Sequence, residues 1–116
     1  MSELLEKRLR FTRYLAGLIE MANSVPNHQV AIRRDFDEAN ESIRHMRGSL
    51  HYLGLAVDLD LYIGGVYATD SANYRHLGEW WKMQADDCKW GGSFRDKRGN
   101  PTPDGCHFSI EFKNRQ

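Results

Sequence analysis

Apolar residues recur at Leu4, Phe11, Leu15, Leu18 and Ala22, joined by Tyr14 and Met21, a helical spacing that predicts an amphipathic helix over about residues 2 to 22. Asn23-Ser24-Val25-Pro26-Asn27 ends it. The period then shortens to two. Val30 and Ile32 alternate with Ala31 and Arg33, which predicts a short strand from Val30 to Arg34; residues 36 to 45 carry a weaker helical pattern. The clearest strand follows, with Leu55, Val57, Leu59, Leu61 and Ile63 alternating with Ala56, Asp58, Asp60 and Tyr62. Gly64-Gly65 supplies a turn and Val66-Tyr67 a hairpin return. Thr69, Asp70 and Ser71 offer capping oxygens to a second helix whose buried face holds Tyr74, Leu77, Trp81, Ala85 and Cys88. Lys89 to Gly105 reads as loop. In a last strand over about residues 106 to 112, Phe108, Ile110 and Phe112 share one face and His107, Ser109 and Glu111 the other.

Two strands with one apolar and one polar face, plus two amphipathic helices, predict an α+β fold: a small antiparallel sheet with helices packed on one face and a cleft on the other. At 116 residues the chain is expected to be one domain, residues 1 to 116. Sixteen Lys and Arg balance sixteen Asp and Glu, so no overall field draws the protein to nucleic acid or an anionic membrane, and neither partner is expected. The most basic stretch, Lys7, Arg8, Arg10 and Arg13, is interrupted by Leu9 and Phe11 and reads as a solvated helix face. Cys88 and Cys106 are the only cysteines and are not spaced as a zinc ribbon or a disulfide framework; free thiols in a reducing cytoplasm are expected. The N-terminal residues lack the layout of a secretory signal, and no apolar run approaches membrane-spanning length. Synthesis in the cytoplasm, no stable membrane insertion and a monomer are the corresponding expectations.

The polar faces carry the chemistry. Asp58 lies mid-strand and His107 opens the polar face of the last strand, so the two converge if those strands are neighbours. His51 arrives from the loop before Asp58, and Gly54 lets that loop bend tightly. Two imidazoles and a carboxylate form a nitrogen and oxygen set suited to a catalytic Zn2+, with a fourth position for water. Asp104 is three residues before His107; it must sit in the Pro103-Asp104-Gly105 turn, where its carboxylate can exchange a proton with attacking water and a leaving amine. Cys106 is expected to face away from the metal, as core. His28, His45 and His76 receive no catalytic role.

These residues resemble a known superfamily, the zinc peptidases that include VanY-type D-alanyl-D-alanine carboxypeptidases, L-alanyl-D-glutamate endopeptidases and many phage endolysins. Its Ser-x-His, Gly, Ala-x-Asp and later acidic residue before His-Phe are matched by Ser49, His51, Gly54, Ala56, Asp58, Asp104, His107 and Phe108. The stretches Leu59 to Tyr62, Tyr74 to Trp81 and Trp90 to Phe94 resemble compact phage-type members, and the likeness spans roughly residues 28 to 112.

The resemblance implies a Hedgehog/DD-peptidase-like fold, with His51, Asp58 and His107 as zinc ligands and Asp104 as catalytic acid and base. It also implies an arginine that holds a substrate carboxylate or polarises the scissile carbonyl. Arg33 matches it, with Arg34 as the neighbouring choice because Arg33-Arg34-Asp35-Phe36 departs from the family pattern. Ser49 binds substrate or caps its loop, and Trp90 with Gly91-Gly92 forms a cleft wall. The implied substrate is a stem or cross-link peptide of peptidoglycan, reached after release to the cell wall. The phage-like stretches tilt the expectation toward an endolysin with L-alanyl-D-glutamate endopeptidase activity. D-alanyl-D-alanine carboxypeptidase or dipeptidase activity and a non-catalytic, zinc-stabilised binding domain are the alternatives.

Overall fold

The amphipathic N-terminal pattern forms helix α1 (Glu3–Ser24) in a computed structural model whose described residues are 1–33 and 49–116. Ser2 caps it, its Oγ accepting from the Leu5 amide at 3.1 Å, and Glu3 and Glu6 place negative charge by the positive end of the helix dipole. Phe11, Leu18 and Ala22 form its buried stripe. The helical pattern at 36 to 45, and Arg34, lie outside the described residues.

Among the described residues, five strands form an antiparallel sheet: β1 (His28–Ile32), β2 (Ala56–Ile63), β3 (Val66–Tyr67), β4 (Cys88–Trp90) and β5 (His107–Ile110). Their order is β1-β2-β5-β4, with β3 returning as a hairpin against the end of β2. The expected strand at 30 to 34 is therefore shifted toward the N-terminus, and the last strand is shorter than expected. Beyond Ile110 the chain turns, and Phe112 is bridged to Arg115.

The second helix, α2 (Arg75–Lys82), follows a 3₁₀ turn at Ser71–Tyr74 whose capping oxygen is Asp70 Oδ1, accepting from Ala72 N at 3.0 Å. It stops earlier than its apolar spacing predicts. The amides of Met83 and Gln84 bond three residues back, to Trp80 and Trp81, tightening the last turn. Cys88 then enters β4 opposite Ile110. The expected loop from Lys89 thus begins inside a strand. Cys88 is buried in either arrangement, so apolar spacing alone could not separate a helix from a strand here.

Trp81 joins the helices to the sheet. It is fully buried, meets Phe11 and Phe108 edge to face at 5.6 and 6.0 Å, and donates Nε1 to the Ser109 carbonyl at 2.9 Å. Val57, Leu59 and Leu61 of β2 and Phe108 and Ile110 of β5 make the sheet's contribution to this core. The opposite face of the same two strands carries Asp58, Asp60 and His107. Among the described residues, no helix is long and apolar enough to cross a membrane.

An ion-pair cluster ties α1 to the connection between α2 and β4. Arg10 donates Nη1 and Nη2 to the two oxygens of Asp87 at 3.1 and 2.7 Å, and Lys7 Nζ lies 3.3 Å away. The Arg10 hydrogen bonds hold the Asp87 carboxyl below its ordinary range against the opposing cost of burial. A depressed folded-state value stabilises above the unfolded value of about 3.9 and is lost as pH falls through the lower folded value. Asp87→Asn should therefore cost about 1 kcal/mol in urea denaturation at pH 7, with the difference from wild type shrinking under strongly acidic conditions.

Candidate metal centre

Asp58 and His107 are direct partners across the β2–β5 ladder, which places both side chains on the same face of the sheet. His51 comes from a chain of tight turns. The Tyr52 amide bonds to Ser49 O, Leu53 to Leu50 O, Gly54 to His51 O and Leu55 to Leu50 O. Leu50 and Leu55 are buried and pin this loop. Gly54 sits at φ +75, and a Cβ there would also come within 3.1 Å of Arg8 Nε, so glycine serves both the backbone and the packing of α1.

Asp58 Oδ1 lies 3.7 Å from His51 Nε2 and 3.3 Å from His107 Nδ1, and the two imidazole centroids are 5.1 Å apart. One ligand atom from each residue falls within 4.8 Å of the others. Charge-assisted hydrogen bonds to a carboxylate run about 2.7 to 2.9 Å, shorter than either separation. Ligands about 2.0 to 2.1 Å from a tetrahedral zinc lie roughly 3.4 Å apart, close to both. Side-chain exposures of 5%, 9% and 8% for His51, Asp58 and His107 mean that the carboxylate is largely stripped of water, a cost that a divalent cation offsets. The expected ligands are brought together, and the group can hold a metal ion.

Asp104 lies beside Asp58 of this group. One of its carboxylate oxygens lies within 4.8 Å of both a carboxylate oxygen of Asp58 and Cys106 Sγ. Its position is fixed by backbone: Asp104 N donates to Gly91 O at 2.8 Å, His107 N donates to Asp104 O at 3.0 Å, and Gly105 N donates to Ser71 Oγ at 2.9 Å. A Cβ on Gly91 would lie 2.0 Å from the Asp104 carbonyl oxygen and 2.9 Å from His107 Cβ. Gly91 therefore admits the protein's own turn.

Trp90, expected as a cleft wall, lines an outer hollow with Gly92 and is at the same time largely packed into the protein. Only 7% exposed, its ring is wedged between Gly78 and Gly92, where a Cβ would fall 2.0 and 2.2 Å from the indole. Its Nε1 donates to Gly105 O at 2.7 Å, so the indole braces the Asp104 turn.

Cys106 is a correction. Expected to point away in a regular strand, it instead lies in the turn closed by the His107 to Asp104 hydrogen bond, before β5 begins. Its thiol donates to Asp104 Oδ1 at 3.3 Å. Burial, reinforced by the carboxylates of Asp58 and Asp104, pushes the thiol up to about 12, so it stays protonated and able to donate.

Arg33 continues the β1 ladder, its amide donating to Asp58 O at 2.8 Å. Its side chain donates Nε to Asp60 Oδ1 at 2.9 Å and Nη2 to Tyr67 Oη at 2.9 Å. The Asp60 hydrogen bond raises the guanidinium's already high value, so its charge is permanent. Arg33, Tyr67, Ser71, Asp104 and Cys106 line one hollow of about 210 Å³. Ser49 Oγ accepts from His51 N at 3.2 Å, the loop-capping alternative. Asp60, Tyr67 and Ser71 were given structural positions but no part in the site from sequence. Asp60 had a signal, since it shares the polar face of β2 with Asp58; Ser71 comes from a distant turn and had none.

No protein-family model, curated protein or solved structure matches the chain.

Proposed function

We propose that this protein is a zinc-dependent peptidoglycan peptidase of Hedgehog/DD-peptidase-like fold, an endolysin-type enzyme that hydrolyses the L-alanyl-D-glutamate bond of the stem peptide. The observation that carries the proposal is the convergence of His51, Asp58 and His107 at ligand spacing, with the Asp104 carboxylate beside them. His51, Asp58 and His107 would hold the ion, and a zinc ion there supplies Lewis acidity toward a carbonyl oxygen and water.

The protein's own residues do the rest. Asp104 accepts a proton from water as its oxygen adds to the scissile carbonyl carbon, and returns a proton to the nitrogen as the carbon–nitrogen bond breaks. The thiol of Cys106 orients that carboxylate from one side. Arg33, anchored by Asp60 and Tyr67, presents its remaining donors to a substrate carboxylate or to the developing negative charge. The proposed setting follows from the same reading: a monomer made in the cytoplasm that acts on the wall after release, without nucleic acid or membrane insertion.

The test is to incubate purified sacculi with zinc-loaded protein and identify new amino termini by mass spectrometry. New D-glutamate amino termini are expected. Release of terminal D-alanine instead would reassign the activity to a carboxypeptidase, and no release at all would overturn the peptidase reading.

A further inference from the structure

A second hollow, of about 620 Å³, lies next to the one that holds Arg33 and Asp104, and the two share Ser71 and Pro103 in their walls. A chain lying across the Ser71–Pro103 ridge would reach from one into the other. The outer hollow carries three cations, Arg75, Lys82 and Arg95, and two carboxylates, Asp70 and Glu79. These charges are not equally committed. Asp70 is engaged in capping Ala72 N, and Glu79 is paired with Lys82 at 3.2 Å. Arg95 spends one donor, Nη1, on Gly99 O at 2.9 Å. Arg75 makes no hydrogen bond or ion pair from its side chain among the described residues. The surplus in this hollow is therefore guanidinium, whose planar fork suits a carboxylate.

We infer that this hollow is a second subsite of the same cleft, in which Arg75 and Arg95 bind a free carboxylate of the substrate peptide. The inference rests on the peptidase reading, and it adds to it a substrate class: peptides with a free carboxylate on the part of the chain that reaches this hollow, in preference to those in which that carboxylate is amidated. Arg33 at one end and the Arg75–Arg95 pair at the other make the cleft a reader of two anionic groups flanking the reacting bond. Neither arginine lines the hollow that holds Asp104, so the contribution of the pair falls on binding and not on the chemical step.

The experiment uses zinc-loaded full-length protein carrying Asp104→Asn, so that peptide is bound without being consumed. Calorimetric titration would compare a synthetic stem tetrapeptide with free carboxylates and the same peptide with carboxamides. The free acid should bind on the order of tenfold more tightly, and Arg75→Gln with Arg95→Gln should bring the ratio toward one. Arg98→Gln, on the neighbouring exposed turn, should leave the ratio unchanged. An unchanged ratio in the double variant overturns the inference, as does an equal loss in the Arg98 control or failure of both peptides to bind. Sacculus digestion is scored separately. Discrimination without digestion leaves the subsite standing and removes the peptidase reading, whereas digestion without discrimination does the reverse.

Discussion

Replacing Asp104 with alanine should lower turnover of peptidoglycan by about 10²- to 10⁴-fold, the range expected when a positioned general acid–base group is lost. Zinc content should not change if the ligands are His51, Asp58 and His107 as proposed, since the Asp104 turn is held by main-chain groups bonded to Gly91, His107 and the Ser71 hydroxyl. Those bonds survive removal of the carboxylate. The measurement pairs sacculus digestion with metal analysis of the purified variant. Digestion at the wild-type rate would exclude Asp104 as the proton carrier, and loss of zinc together with activity would show that the residue is a ligand.

Substitution of His107 with alanine should remove both properties. Loss of a supporting hydrogen-bond partner around a metal ligand already costs roughly 10- to 100-fold in affinity, and loss of a ligand from a set of three should cost more. His107 is also packed, its ring 5.3 Å from Phe94 and 5.1 Å from His51, so truncation alone creates a cavity. His107→Gln fills most of that volume without restoring an imidazole, and it separates the two effects. If zinc binding persists at wild-type affinity in both variants, the metal centre is misassigned.

The difference between these substitutions follows from where each residue sits, and the same positions explain what could be read from the chain. Strands β2 and β5 were legible because each alternates over several residues with one apolar face, and that alternation also placed Asp58 and His107 on a common side. Helix α1 was legible from its sustained apolar stripe. Strand β4 was not, since three residues cannot establish a period, and its Cys88 satisfied the spacing of the preceding helix. Cys106 was misplaced for a related reason: a strand was extended by one residue into a turn, and a slip of one residue reverses the direction of a side chain. Trp90 was assigned to a cleft wall because the glycines after it suggest a close approach, and it does line the outer hollow. The approach exists, but the indole and the Asp104 turn occupy it. Contacts between distant turns, such as Ser71 with Gly105, leave no local periodicity for a sequence to display.

The pairing of Asp58 with His107 across one rung of the sheet has a consequence for how the site is assembled. Opposed residues on neighbouring strands have Cβ atoms about 4.5 to 5.5 Å apart, a spacing set by the backbone ladder. Two of the three proposed ligands are therefore set in place by the ladder itself. His51 rides on a loop pinned by the buried Leu50 and Leu55, so the third side chain is placed by packing as the other two are by the ladder. A cation taken up as proposed would find its donors already gathered, and stripping it should leave the domain folded.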